Sequence, residues 1–312
     1  MLNDKIRRKL ESLSHLPTIP VVITEVLSAL DNPRLSASRL ASLIERDQAL
    51  TTRVLTVANS PFYGLMRRIS TIDLAVVILG LNSIKEIVMS FVLQRFFAGI
   101  SKNIFDIKNF WDYSLFCGAS SRFLARRLGY RLAGEAFVAG LMHDIGILIL
   151  VQFFSKEFAL IRKVQQKNNL TFIEAEQLVM NTTHSEIGQW FADRWSLPKQ
   201  LCDAILNHHK SYIEVISESS VSQGDDNNKL SSEEQPLTLI VAMSEWFAAE
   251  LGFKIWAMES KPSELYLAND VLSDIQENDL LNPESALEVM KQEIIEEYQK
   301  ASVLSSLPVT PL

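Results

Sequence analysis

AGLMHDIGILILVQFF (139–154) is the stretch on which the reading of the fold turns. Ala136, Ala139, Gly140 and His143 recur at helical spacing on a helix beginning near Gly134, so one apolar face carries an imidazole. The apolar run Ile145–Phe154 follows, interrupted by Gln152. A bilayer needs about 20 apolar residues, so this run is too short to cross one and reads as core helix. The pair His143–Asp144 at its head puts a titratable dyad at the end of a buried element.

The same period extends outward from there. Upstream, Pro33–Asp47 sets Leu40, Leu43 and Ile44 on one face behind Ser36 as N-cap. Ser70, with Asp73 three residues on, opens a run in which Leu74, Val77, Ile78 and Leu81 recur at helical spacing. Gly80 and Asn82 punctuate that run, and the next helix carries Ile84, Ile87, Val88 and Phe91 on its buried stripe. A longer helix from Phe110 to Leu128 stops at Gly129, a C′ glycine. Downstream, Thr171 with Glu174 and Thr183 with Glu186 have capping-box spacing, and Ser196-Leu197-Pro198 starts a further helix. No internal repeat and no strand-like alternation of any length occurs.

Ser217–Gln235 holds a single leucine and a single valine and is expected to be a mobile loop, because it buries too little to offset its ordering entropy. An acidic amphipathic helix is expected over 282–304, with an extended tail at 306–312. The expected architecture is all-α: an N-terminal helical bundle (1–105) packed on a second helical unit (106–312) with its loop at 217–235.

Composition narrows the function classes. Among 312 residues, 47% are hydrophobic and glycine (11) and proline (10) are scarce, which favours long helices over barrels and sandwiches. The net charge of −7 argues against broad nucleic-acid binding, which needs a basic footprint. Basic clusters at Arg7–Arg8, Arg67–Arg68 and Arg122, Arg126, Arg127, Arg131 read as solvated helix faces. Cys117 and Cys202 form no CxxC and read as core residues. Asn59–Ser60–Pro61 reads as a helix stop, and Phe62 and Tyr63 as packing residues. MLNDKIRRKLESL is followed by no signal-type apolar run, so a cytoplasmic protein without a membrane span is expected.

Of five histidines, four stand where chemistry is plausible. His143 closes one helix beside Asp144. His184 opens another, on the stripe of Ile187, Gly188, Phe191 and Trp195. His208 and His209 close the helix that starts at Pro198. Three helices thus send imidazoles towards one interior, beside a carboxylate. Such donors suit zinc, iron, manganese or nickel, and a bound ion activates water for phosphoester hydrolysis.

At these residues a family resemblance enters. HDIG (143–146) resembles the HD superfamily of metal-dependent phosphohydrolases. LPTIP (16–20), RDQALTTRVLTVANSPFYG (46–64) and RRISTIDLAVVILGLNSIKEIV (67–88) resemble the HDOD family, the HD-related output domain of bacterial signalling proteins. FW (110–111), AGLMHDIG (139–146), HSEIG (184–188), RWSLP (194–198) and NHH (207–209) continue the pattern in order, over about residues 10–250. The resemblance implies a helical bundle packed on an HD-like helical unit, and a role in signalling.

The departures decide the expected activity. A catalytic HD cage has a histidine on an upstream helix, the His–Asp pair and a distant aspartate. Tyr113 stands about where the upstream histidine belongs, and Glu245, in IVAMSEWFA, stands for the aspartate. Ile147 replaces the lysine that active cyclic-dinucleotide phosphodiesterases of this type carry, and Lys210–Ser211–Tyr212 follow His209 in place of a GYP signature. No catalytic residue is assigned. The expected function is a non-catalytic signal-output or regulatory module acting through signalling partners or a small ligand such as a nucleotide. The alternative is a metal-dependent phosphohydrolase acting on a nucleotide or cyclic dinucleotide. No cofactor is expected in the first case. The alternative to that is a single Fe, Mn, Ni or Zn ion, since Asp144, His184, His208 and His209 resemble the second-metal ligands of binuclear HD enzymes. His143 and Glu245 complete the candidate ligand set.

Overall fold

The computed structural model describes residues 2–12, 21–30, 32, 34–61, 67–101, 103–210, 237–256 and 283–304. The motif at 16–20, residues 62–64, the expected loop at 217–235 and the tail at 306–312 lie outside the described residues. Among the described residues the fold is all-α, without strands. The helices are α1 (Asp4–Ser12), α2 (Val21–Leu30), α3 (Ala37–Ile44), α4 (Gln48–Ala58), α5 (Ile72–Phe97), α6 (Ile107–Arg127) and α7 (Ala133–Met142). There follow α8 (Ile145–Phe153), α9 (Ser155–Asn168), α10 (Phe172–Met180), α11 (His184–Arg194), α12 (Lys199–Asn207), α13 (Leu237–Glu250) and α14 (Pro283–Ala301). The chain forms two compact units, one of His15–Gly99 with Gln299–Leu312, the other of Met1–Ser14 with Ile100–Tyr298.

In the smaller unit α2–α5 pack around Leu40, Ile44, Leu50, Val54, Ile84 and Val88. Ser36 caps α3 as expected, its side chain accepting from Arg39 N at 3.2 Å. The cap of α5 is Thr71 and not Ser70, because Thr71 has the extended backbone (φ −125°, ψ 147°) that lets a side chain turn back onto Leu74 N. Gly80 interrupts α5 with φ +76° and ψ 162°, a conformation that an L side chain rarely adopts. The first half of α5 buries Ile72, Ala75, Val76 and Leu79, whereas Leu74, Val77, Ile78 and Leu81 face outward at 38–69% exposure. The period was legible but its phase was not, since this segment is apolar on both faces. In the second half Ile84, Ile87, Val88 and Phe91 are buried as the spacing predicts. Arg53, buried in this unit, donates to Gln94 Oε1 (2.7 Å) and to the carbonyl of Leu304, which also accepts from Gln94 Nε2 (3.1 Å). The short 3₁₀ turn Ser302–Leu304 is thereby tied to the bundle.

In the larger unit α6 is the central element, packed on α7 and α13. Its end is a Schellman stop: Gly129 sits at φ +73°, Tyr130 N donates to Ala125 O (2.8 Å) and Gly129 N to Arg126 O (3.3 Å). Helix α1 belongs here, burying Ile6 and Leu10 behind the buried Leu2 that precedes it, with Lys9 Nζ 2.9 Å from Glu157. Of the arginines of α6, Arg122 is buried, while Arg126 and Arg127 stay exposed as expected. Arg122 Nη2 meets Glu297 Oε2 at 2.9 Å, Arg126 stands 3.7 Å from the same oxygen, and Arg127 lies 3.6 Å from Glu293. The acidic α14 lies along them, burying Met290 and Ile294 and setting Tyr298 against Phe116 and Phe253. A charge run on one helix was the seat for an opposite run some 170 residues further on.

Two segments, Ile72–Phe97 and Ala133–Phe153, are long and apolar enough to cross a membrane, with mean hydropathy of 1.9 over their best windows. They are 61% and 89% buried within the fold, and helices that are apolar all round are also what a core requires.

Candidate metal centre

The site lies in the larger unit, where the ends of three helices meet. His143 ends α7 and Asp144 precedes α8, so the pair occupies the tight corner between two buried helices. Helix α11 crosses α8 at two glycines. A Cβ at Gly146 would lie 1.9 Å from His184 O, and one at Gly188 would lie 2.9 Å from Ile205 Cγ2 and 3.3 Å from Gly146 N. Only residues without a side chain allow this approach, and it brings His184 against Asp144. The start of α11 is held by its capping box, with Glu186 N donating to Thr183 Oγ1 (3.3 Å) and Thr183 N to Glu186 (3.2 Å). The Thr171–Glu174 box starts α10 in the same way. Helix α12 ends in His208 and His209.

These residues form two sets that share Asp144. Its Oδ1 faces His184 Nε2 (3.2 Å) and His208 Nε2 (3.5 Å), and His184 Nε2 stands 2.9 Å from His209 Nε2. Its Oδ2 faces His143 Nε2 (3.3 Å), which lies 3.5 Å from Glu245 Oε1. Ligand atoms of Asp144, His184, His208 and His209 all lie within 4.8 Å of one another, as do those of His143, Asp144 and Glu245. All six candidates are therefore brought together. Every one is buried except His209, which is exposed at the rim. Tyr113 adjoins the second set, its ring centroid 5.6 Å from that of His143 and its hydroxyl 3.4 Å from Glu245 Oε1.

The imidazoles are oriented by their far nitrogens. His143 Nδ1 is 2.7 Å from Gly140 O and His208 Nδ1 is 2.7 Å from Ile205 O, carbonyls three residues back in their own helices. An Nδ1–H donating to a carbonyl turns the Nε2 of each ring towards Asp144. His143 Nε2, His208 Nε2 and Asp144 Oδ1 are buried without a hydrogen-bond partner. Orphaned buried polar atoms call for a reason, and a cation is one that suits all three. A tetrahedral centre with ligands at about 2.0–2.1 Å keeps its ligand atoms roughly 3.4 Å apart. The separations of 2.9, 3.2 and 3.5 Å in the four-residue set fit that requirement.

Charge is tightly coupled here. Burial opposes a proton on His143, but Asp144 and then Glu245 outweigh it and hold its pKa well above the usual imidazole value. His184 is likewise disfavoured by burial and raised nonetheless to about 10, chiefly by Glu176 and Asp144. Asp144, despite its burial, is held well below the usual carboxylate value by His143, with His184 and His208 adding to the effect. The ring of His209 packs on those of His208 and His184 at 4.0 and 5.0 Å.

One residue was missed from the sequence. Glu176 on α10 is fully buried; its Oε1 accepts from His184 N (3.0 Å) and its Oε2 pairs with His184 Nδ1 (2.8 Å). A signal existed: Glu176 shares the buried face of Phe172, Ala175 and Met180, and an acid on an apolar stripe needs a partner. Asn59, in the smaller unit, proves structural. Its amide donates to Leu55 O and Ile69 O and its oxygen accepts from Ile69 N, all within 2.8 Å. An open groove of about 830 Å³ beside it is lined by Thr52, Thr56 and Arg68, but both threonine hydroxyls already donate to helix carbonyls.

An all-helical unit with a His–Asp corner facing further histidines defines an HD-related domain. The HDOD domain profile matches residues 16–211, and the chain belongs to the HDOD family. An HDOD domain protein of unknown function from Geobacter sulfurreducens has a crystal structure similar over 96% of both chains, with 26% identity and a TM-score of 0.73. A protein provisionally assigned to signal transduction from Marinobacter aquaeolei VT8 shares the fold at 19% identity and a TM-score of 0.67, over 97% of this chain and 64% of that one. One provisionally assigned as a phosphohydrolase from Shewanella amazonensis SB2B shares it at 21% identity and 0.66, over 96% and 97%. An uncharacterized protein of Treponema pallidum (strain Nichols) is 25% identical over 200 residues, 64% of this chain; the match spans 38% of that relative's length.

Proposed function

We propose that this chain is a non-catalytic signal-output module whose surviving half-cage, Asp144, His184, His208 and His209, holds a single transition-metal ion. The observation that carries this reading is the contrast between the two sets. The four-residue set gathers its ligand atoms within 4.8 Å of one another, with the His184 and His208 rings anchored through Nδ1 and their Nε2 atoms facing Asp144 Oδ1. In the other set, the Tyr113 hydroxyl lies against Glu245 beside His143, where a further imidazole would complete the cage. A neutral phenol is a poor ligand for such an ion, and one metal without its neighbour leaves phosphoester hydrolysis without the two-ion clamp. A bound ion would supply Lewis acidity at the rim near His209; the chain's own residues bind and orient it. The module would work in the cytoplasm by presenting its surface to signalling proteins, a role in keeping with the signal-transduction assignment of the Marinobacter relative.

The second reading is a metal-dependent phosphohydrolase, favoured by Asp144, whose two oxygens address the two sets separately. Elemental analysis of protein purified without chelator, with assays on cyclic dinucleotides and nucleotides in manganese, nickel or iron, tests both. About one equivalent of metal without turnover is expected. Turnover abolished by Asp144→Ala overturns the proposal in favour of the hydrolase, and less than a tenth of an equivalent of any transition metal overturns the metal site.

A further inference from the structure

The three buried imidazoles face the same task with unequal means. His143 and His208 stand at the C-terminal ends of their helices, so each finds a carbonyl three residues back to anchor Nδ1. His184 is the first residue of α11, where no such helix carbonyl precedes it. Its backbone N–H is also one of the orphan donors of a helix N-terminus. Both needs are met from another helix by Glu176, which takes the backbone N–H on one oxygen and Nδ1 on the other.

We propose that Glu176 is a positioning residue: its carboxylate keeps a proton on His184 Nδ1, so that Nε2 is the nitrogen left to bind a metal. The inference rests on the single-ion reading above and deepens it by naming what makes the least supported ligand competent. A carboxylate is acceptor-only, so both of its contacts to His184 demand a donor. Nδ1 therefore carries a proton, while Nε2 points to Asp144 Oδ1 and His209 Nε2 and gives up its own proton when a metal binds. Negative charge at the start of α11 also complements the helix dipole there.

Glu176→Gln separates this role from packing, since the side chain keeps its size. The amide oxygen retains the backbone N–H of His184, and the amide NH₂ then faces Nδ1. Two donors cannot share that contact, so Nδ1 loses its proton and becomes the acceptor, and the one proton left on the ring sits on Nε2, where a ligand lone pair is required.

The test uses the full chain labelled with ¹⁵N-histidine. Long-range ¹H–¹⁵N spectra of the metal-free protein report which nitrogen of His184 carries a proton, and competition titration reports zinc affinity. The wild type and Glu176→Asp are expected to show the Nδ1 proton and Glu176→Gln to lack it. Zinc affinity is expected to fall about 10–100-fold in the Gln variant, as for other partners of ligating histidines, and less in the Asp variant. A Gln variant that keeps the Nδ1 proton, or that binds zinc as the wild type does, overturns the proposal. Should that variant not fold, Glu176→Asp decides, and loss of its Nδ1 proton overturns the assignment. A wild type that binds no zinc while the proton follows residue 176 supports the role of Glu176 and overturns the metal reading.

Discussion

Replacing Gly146 by alanine strikes the contact that assembles the centre. The added Cβ would lie 1.9 Å from His184 O and 2.7 Å from its carbonyl carbon, and both are backbone atoms that no rotamer change moves away. Contacts under 3.0 Å are essentially unknown for real Cβ atoms, so α8 and α11 must part by at least ~1.1 Å. Overpacking of this kind costs about 1–3 kcal/mol. The upper end applies, because the start of α11 is pinned by its capping box and by Glu176. Better helix propensity of alanine returns about 0.5–1 kcal/mol, leaving a net loss of about 2 kcal/mol. For a chain of this size that is roughly a 3 °C fall in Tm. The same separation carries His184 away from Asp144, now 3.2 Å from it, and sites lose function when ligands stray by more than about 0.5 Å. Urea unfolding of metal-free protein and zinc competition read the two effects. Gly99→Ala, where nothing lies within 4 Å of the new Cβ, is the control and should stay within about 0.5 kcal/mol. A Gly146→Ala protein with wild-type stability and zinc affinity would refute the reasoning.

Two further predictions concern the same unit. Arg122→Ala removes the close partner of Glu297 in a contact where both side chains are only 11–12% exposed, leaving that carboxylate with Arg126 at 3.7 Å. A cost of about 1–3 kcal/mol is expected for the lost charge-assisted contact, together with faster amide exchange in α14; unchanged protection there would show that this contact does not hold the helix. In metal-free protein His184, raised to about 10, contributes stability that is complete below its unfolded value of about 6.5 and lost as pH climbs through 10. Asp144, held low, contributes stability that is present above about 3.9 and lost as pH falls through its depressed folded pKa. Urea midpoints should therefore decline from pH 6.5 to 10, less steeply once zinc displaces the proton. A flat alkaline arm would mean that His184 is not charged in the fold.

The signals that were legible from the chain alone are those satisfied within one turn. Ser36, the Thr171–Glu174 and Thr183–Glu186 boxes and the Gly129 stop each depend on a residue three or four positions away, and all stand as the sequence predicts. The His–Asp corner was legible because both residues share one helix junction, and the six candidate ligands do gather around it. Where a partner lies far along the chain, residue type was ambiguous. Arg122 looked like a solvated charge until Glu297 met it, and the face of α5 that is buried could not be told from the one that is not. Glu176 is marked in the sequence only by its apolar stripe of Phe172, Ala175 and Met180, because its partner His184 is brought in from another helix. By itself the sequence determined the all-α class, most of the caps it proposed and the gathering of histidines and acids around the His–Asp corner, because those follow from local hydrogen bonding and periodicity. Only the tertiary structure decided which imidazole nitrogen faces Asp144, since that depends on acceptors brought in by packing: two helix carbonyls and one glutamate from a different helix.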